Sequence, residues 1–214
     1  MIGKRICIIG AGGLGQSVLS LMVMMGRREE VVAFAEEDDF LITRTLDGLP
    51  VVSLSIARDE GWVFILAIGS SAAREDVARR LGHGAQFESC IHSSAVIMDE
   101  SKLGVGAIVF PLAYISRNSR IGRHSVIMPG TVIGHDVIIG DAFTASPNVS
   151  IGGYACIGDR VLCGLSACIR DRVSVTDDVT IGMGAIVVRD ISRPGTYTGN
   201  PARLSPTGIS ETSP

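Results

Sequence analysis

From Ile91 to Val187 the apolar positions of the chain recur every six residues without a single insertion. Of the seventeen first positions of these hexads (91, 97, 103 and onward), fifteen are branched aliphatics; Ala145 and Cys163 are the exceptions. Position five is small or β-branched almost throughout, as in Ala95, Ser101, Ala107, Ala113, Ser119, Ser125, Thr131, Val137, Val149 and Ala155. Position two is often glycine: Gly104, Gly122, Gly134, Gly140, Gly152, Gly158, Gly164 and Gly182. A strict period of six turns one large and one small side chain inward per short strand, and three hexads close one triangular coil. Coils stacked at about 4.8 Å by strand pairing predict a parallel β-helix prism roughly 25–30 Å tall. The glycines are expected to relieve the backbone where each coil turns a corner. An antiparallel sandwich would instead show period-two alternation broken by irregular turns.

The residues ahead of the repeat follow another rule. Arg5–Ile9 reads as a buried strand, followed by the glycine-rich run Gly10–Gly15 and an apolar helical stretch through Met25. A second strand at Val31–Ala35 leads into Glu36 and Glu37; a short strand at Val51–Leu54, a strand at Val63–Ile68 and a helix through Leu81 follow. The order β-α-β-β-β-α predicts a small, mostly parallel, Rossmann-like α/β domain over 1–88. The β-helix is then expected over 89–204. Residues 205–214, rich in Ser, Thr and Pro, read as a flexible tail.

Composition narrows the function classes. The 214 residues are 46% hydrophobic with a net charge of −3, which gives no electrostatic reason to expect nucleic acid or an anionic membrane as a partner. No stretch approaches the roughly 20 apolar residues of a spanning helix, and the first residues read as a strand, not a signal peptide. Cys7, Cys90, Cys156, Cys163 and Cys168 lack metal-ligand spacing and read as small apolar fillers in a reducing cytoplasm.

Two places carry candidate chemistry. Gly10, Gly12 and Gly15 satisfy the dinucleotide fingerprint, and Glu36 falls about twenty residues further on, where an acid could hold a ribose or base. The domain is too short for the second half of a dinucleotide fold, so a nucleoside diphosphate, such as the nucleotide end of an activated sugar, fits better than a nicotinamide. Such a turn offers free backbone amides and a positive dipole end to phosphate. A tight βα turn with no ligand is the alternative. On the repeat, His92, His124 and His135 fall in hexads assigned to three different faces, which disfavours a metal site within one chain. His135 lies outside the inward positions, Asp136 follows it, and Gly153 stands eighteen residues on, one coil along the same column. A His paired with a carboxylate can act as a general base, and a bare amide beside it can meet a developing oxyanion.

With Gly10–Gly15, Val132-Ile133-Gly134-His135-Asp136, Ser146-Pro147-Asn148 and the ending Gly199-Asn200-Pro201-Ala202-Arg203, the chain resembles the bacterial nucleotide-sugar N-acetyltransferases of the bacillosamine and perosamine type, with their sialic acid O-acetyltransferase-like relatives. The resemblance runs from about Lys4 to Leu204. It implies a left-handed β-helix, a homotrimer, acetyl-CoA as co-substrate and a nucleotide-linked 4-amino-4,6-dideoxysugar as acceptor, with no metal. By the same resemblance His135 is the base, Asp136 orients it, and the Gly153 amide, with Thr144, faces the oxyanion. Gly153, Leu165, Met183 and Pro201 are expected to touch the coenzyme. Gly12, Gly13 and Leu14 would meet the diphosphate, and Glu36 and Glu37 the base. Three positions depart from the family: Thr144 stands where a second His is usual, Leu14 where the glycine loop usually has His, and Glu36 where Asp is commoner. O-Acetylation of a sialic-type sugar and a noncatalytic trimeric scaffold remain open at this level, as do the nucleotide carrier, the sugar and the pathway.

Overall fold

The computed structural model describes residues 4–38, 41–42, 44–99 and 101–206; residues 207–214 of the expected tail lie outside them. The chain forms two compact units, Met1–Gly69 with Ala73–Cys90, and Ser70–Ala72 with Ile91–Pro214.

The first unit is built on a five-stranded sheet. Its elements are β1 (Ile6–Ile9), α1 (Gly13–Met24), β2 (Val31–Glu36), β3 (Thr45–Leu46), β4 (Leu49–Ser53), α2 (Leu54–Asp59), β5 (Val63–Leu66) and α3 (Ser71–Leu81). The strand order is β3-β4-β2-β1-β5, and every pairing is parallel except the β3-β4 hairpin. Two elements go beyond the sequence expectation. The hairpin turns at Asp47-Gly48, both with positive φ, a dipeptide suited to a tight turn. Leu54, expected to end a strand, opens α2, because the Ser53 hydroxyl accepts a hydrogen bond from the Ile56 N–H and caps a helix there. β1 is flanked by β2 on one side and β5 on the other, so the strand order reverses at its C-terminal end. In open α/β sheets that crevice is where ligands bind, and here it is occupied by Gly10–Gly13.

The second unit is the prism, a left-handed parallel β-helix. One face stacks Cys90–Ile91, Ile108–Val109, Val126–Ile127, Thr144–Ala145, Leu162–Cys163 and Val179–Ile181, and is closed by Gly195–Thr198 and Arg203–Leu204. A second face stacks six strands from Val96–Ile97 to Ile186–Val187, and a third stacks five from Lys102–Leu103 to Ser174–Val175. Along the repeat the strands pair in parallel with those eighteen residues on, as Ile133 does with Ile151; the closing strand Gly195–Thr198 pairs sixteen residues on from Val179–Ile181, and Arg203–Leu204 runs antiparallel to it. Positions one and five form the continuous core. Where position five is large, at Phe143, the next inward position is Ala145, and both are fully buried, so a small neighbour makes room for the ring. Buried hydroxyls at position five bond to backbone carbonyls, Ser119 to Gly134 at 2.8 Å and Ser125 to Gly122 at 3.0 Å.

The glycines do a different job from the one expected. Those at position two have ordinary φ; a Cβ there would strike the next coil, 2.5 Å from the Arg123 nitrogen at Gly104 and 2.6 Å from the Gly153 nitrogen at Gly134. They are small so that coils can approach. The left-handed residue of each corner is position four, and it is mostly not glycine: Asn118, His124, Asp136, Asn148, Tyr154, Arg160, Arg172 and Asp178 all have φ between 55° and 62°. Strand pairing on both sides of the corner holds these residues in a region that L side chains otherwise avoid.

The cysteine expectation needs one correction. Cys7, Cys90 and Cys163 are buried, but Cys156 is exposed and Cys168 half-buried. Both occupy position six, which alternation turns outward. All five are free thiols, and no helix among the described residues is long and apolar enough to cross a membrane.

Candidate active site

His135 sits at position three of the corner between the second and third faces, and Asp136 takes the left-handed position after it, with φ 57°. That backbone turn swings the carboxylate back alongside the imidazole: His135 Nδ1 lies 2.8 Å from Asp136 Oδ2. A carboxylate only accepts, so Nδ1 carries the hydrogen and donates, leaving the lone pair on Nε2. Asp136 accepts a second hydrogen bond, at Oδ1, from the Asn118 side-chain amide one coil earlier. These contacts, first from His135 and then from Asn118, hold the Asp136 carboxyl below the usual carboxylate range. The His135 side chain is 50% exposed, as a group that must reach a substrate requires.

Gly153 lies one coil along the same column, where the Tyr154 N–H donates to the His135 carbonyl at 3.0 Å. A side chain at Gly153 would come within 2.9 Å of His135 Nε2, so glycine keeps the basic nitrogen open. Among the described residues the Gly153 N–H donates to no protein group. At the corner between the third and first faces the matching amides are occupied: those of Arg123, Asp141 and Asp159 donate to the carboxylates of Asp141, Asp159 and Asp177. The Gly153 amide is therefore open where the amides of the third–first corner are capped by carboxylates. Tyr154 walls the imidazole edge-on, with ring centroids 4.9 Å apart and planes at 89°. The Arg172 guanidinium lies over the Tyr154 ring at 4.4 Å.

The other expected site residues fall elsewhere. Thr144 is on the first face, its hydroxyl 3.2 Å from that of Ser71, which clusters with the prism. Leu165 and Met183 stack at the corner between the first and second faces, where the Gly184 N–H donates to the Leu165 carbonyl at 2.8 Å, and both are exposed. Pro201 lies in the turn between the two closing strands, exposed, beside Ala202, whose N–H donates to the Ile186 carbonyl. One prism therefore brings together His135, Asp136 and Gly153 but leaves Thr144, Leu165, Met183 and Pro201 on other edges. Asn118 and Tyr154 escaped the sequence reading; counting eighteen residues either way from Asp136 would have found both.

In the first unit the glycines divide by role. Gly10, at φ 104°, would place a Cβ 2.5 Å from the Ala67 carbonyl oxygen, and Gly15 would place one 1.9 Å from the Gly10 oxygen; both are needed for the turn to fit between β1, β5 and α1. Gly12 and Gly13 have nothing within 4 Å of an added Cβ. Gly12 caps α1 without a side-chain hydrogen bond, so the first-turn amides, Leu14 included, lie at a bare helix N-terminus. Glu36 and Glu37 are already ion-paired, Glu36 with Arg44 at 2.8 Å and Glu37 with Arg80 at 2.6 Å. Glu37 and Arg80 also line a cleft with Asp38, Ser55 and Arg58.

Residues 5–81 match the family model of the PglD N-terminal domain. Across the whole chain, perosamine N-acetyltransferase from Caulobacter crescentus, solved with CoA and GDP-perosamine, superposes with a TM-score of 0.85 at 30% identity, covering 96% of this chain and 98% of that one. The chain belongs to the nucleotide-sugar N-acetyltransferases of the perosamine and bacillosamine type. Within that family WeeI from Acinetobacter baumannii AYE is 28% identical, with a TM-score of 0.86 over 94% of this chain and all of that one. The acetyltransferase domain of PglB from Neisseria gonorrhoeae FA1090 is 26% identical, with a TM-score of 0.85 over 95% of this chain and all of that one. GDP-perosamine N-acetyltransferase of Escherichia coli O157:H7 is 31% identical over 117 residues, 52% of this chain, so the match spans about half (53%) of that curated relative.

Proposed function

We propose that the protein transfers acetyl from acetyl-CoA to the amine of a nucleotide-linked 4-amino-4,6-dideoxysugar, and that His135 is the general base. The observation that carries this reading is the His135 corner: a carboxylate on Nδ1, a glycine that keeps Nε2 open, and an unused amide one coil away. The unprotonated sugar amine attacks the thioester carbonyl while Nε2 removes a proton from nitrogen. Asp136 holds the tautomer and stabilises the imidazolium. The Gly153 amide donates to the tetrahedral oxyanion. Collapse breaks the C–S bond, and the coenzyme thiolate leaves with the proton carried by His135.

The open amides at Gly12, Gly13 and Leu14 are suited to the diphosphate. Recognition of the base by Glu36 and Glu37 requires it to share those carboxylates with Arg44 and Arg80. Thr144, Leu165, Met183 and Pro201 join the reaction if a second copy brings its edge to the His135 corner. That need, together with exposed apolar side chains such as Met183 at 76% and Ile138 at 52%, supports a homotrimer with coenzyme between prisms. Five free thiols and a coenzyme co-substrate fit a cytoplasmic site of action.

The test is acetyl-CoA consumption with mass analysis against GDP-, UDP- and dTDP-linked 4-amino-4,6-dideoxysugars. One sugar gaining an acetyl group in place of hydrogen supports N-transfer and identifies the carrier. Silence on all three, with acetylation of a sialic-type sugar hydroxyl, would replace N-transfer with O-transfer; silence throughout, with no acetyl-CoA bound, would leave a scaffold.

A further inference from the structure

From Gly106 to Gly184 the position-four residues of the corners are left-handed and stack eighteen apart, and some of them pair through their side chains. Arg160 grips Asp178 through two nitrogens, at 2.7 and 2.9 Å, and Arg172 covers Tyr154. Asn118 and Asp136 are the pair on the His135 column, with φ 58° and 57°. The Asp136 N–H donates to the Arg117 carbonyl at 3.1 Å, so the two backbones are locked in register and the two side chains leave them side by side. What separates this pair from the others is the use of its carboxylate: Oδ1 takes the Asn118 amide and Oδ2 takes His135 Nδ1.

The partner is also neutral. A guanidinium in that place, as at Arg160, would draw the carboxylate's charge away from the imidazole. An amide fixes the rotation of the carboxyl group and leaves its full negative charge for the imidazolium.

We propose that Asn118 is a positioning residue for acetyl transfer, holding Asp136 in the one rotamer that orients His135. The proposal rests on the reading of His135 as base. It makes the relay three members long, Asn118 to Asp136 to His135, with two of them at equivalent sites of successive coils. Asn is suited to both demands of the position, since it accepts the left-handed backbone more readily than most residues and supplies the donor.

The test separates those two demands. Asn118→Gly deletes the amide and relaxes the backbone; Asn118→Ala deletes it and strains the backbone. Both variants, assayed as the whole chain with acetyl-CoA and the nucleotide sugar the wild type accepts, should lose about tenfold or more in kcat. The loss should be equal in the two, with KM for acetyl-CoA unchanged, although only Ala lowers the melting temperature. In an Asp136→Asn background Asn118→Gly should cost nothing further, because the group it orients no longer acts. Wild-type kcat in Asn118→Gly, or a loss in Asn118→Ala alone that follows its melting temperature, or an undiminished loss in the Asp136→Asn background, would each overturn the proposal. If His135→Ala kept wild-type turnover, the base assignment itself would fall, whatever Asn118 did.

Discussion

The neighbouring glycines Gly152 and Gly153 should respond to alanine in opposite ways. At Gly152 the added Cβ stands 2.4 Å from the Asp171 nitrogen and 2.7 Å from its Cα. Those are backbone atoms of the next coil, and strand pairing prevents them from moving alone. Overpacking of this kind costs about 3 kcal/mol, or roughly 6–12 °C in melting temperature at this chain length. At Gly153 the added Cβ meets the Nε2 and Cε1 atoms of His135, at 2.9 and 3.0 Å. These belong to a half-exposed ring that can swing away, and the one backbone contact, the His135 carbonyl oxygen at 3.2 Å, need give only a few tenths of an ångström, so stability changes by about 1 kcal/mol. Ordinary contact begins near 3.5 Å, so the ring must retreat by roughly 0.5–1 Å. A misplacement of about 1 Å costs on the order of 10²-fold in rate, and Gly153→Ala should lose roughly 30- to 100-fold in kcat/KM. Its backbone N–H survives the change, so the loss reads imidazole placement and not the oxyanion donor. Thermal melts by circular dichroism and release of the coenzyme thiol give the two readouts. Wild-type turnover in Gly153→Ala, or equal destabilisation of both variants, would refute the packing argument.

Other consequences are as specific. Gly10→Ala should destabilise the first unit by about 2 kcal/mol or more, since it combines φ 104° with a 2.5 Å approach to Ala67; Gly12→Ala should cost about 1 kcal/mol or less yet raise KM for the nucleotide sugar, which melts and kinetics will distinguish. Burial pushes the thiols of Cys7, Cys90 and Cys163 up to about 12, so iodoacetamide at neutral pH should label Cys156 first and Cys168 next. Peptide mass analysis showing a Cys163 adduct in folded protein would contradict this. Hydrogen bonds from Arg160 hold the Asp178 carboxyl below its ordinary value. A depressed pKa stabilises the fold above the usual carboxylate range and gives that contribution up as pH falls through the depressed value. Melting temperature should therefore decline below about pH 4, and Arg160→Gln should flatten that decline.

Much of this was legible in the sequence because a β-helix writes its register into every sixth residue. The inward positions, the column linking His135 to Gly153, and the dispersal of His92, His124 and His135 over three corners all follow from counting. What counting did not supply was why particular residues tolerate their places. Gly134 and Gly152 look like corner glycines, yet their constraint is the coil above, which a one-dimensional pattern does not display. Asp136 and Tyr154 adopt backbone usually left to glycine, held there by pairing on both sides. Cys156 reads as apolar filler until alternation assigns it outward. Thr144, nine residues from His135, is one and a half hexads away and so lands on a different face. In the first unit the short β3-β4 hairpin and α2 rest on a two-residue turn and one serine cap, signals weaker than periodicity.

The role of His135 as base is tested most simply by the kcat/KM of His135→Ala for acetyl transfer, measured beside acetyl-CoA affinity and assembly size. With His135 as the general base, kcat/KM should fall by about 10²- to 10⁴-fold, with affinity and assembly unchanged. Turnover at the wild-type rate would contradict that role and remove His135 from the chemistry.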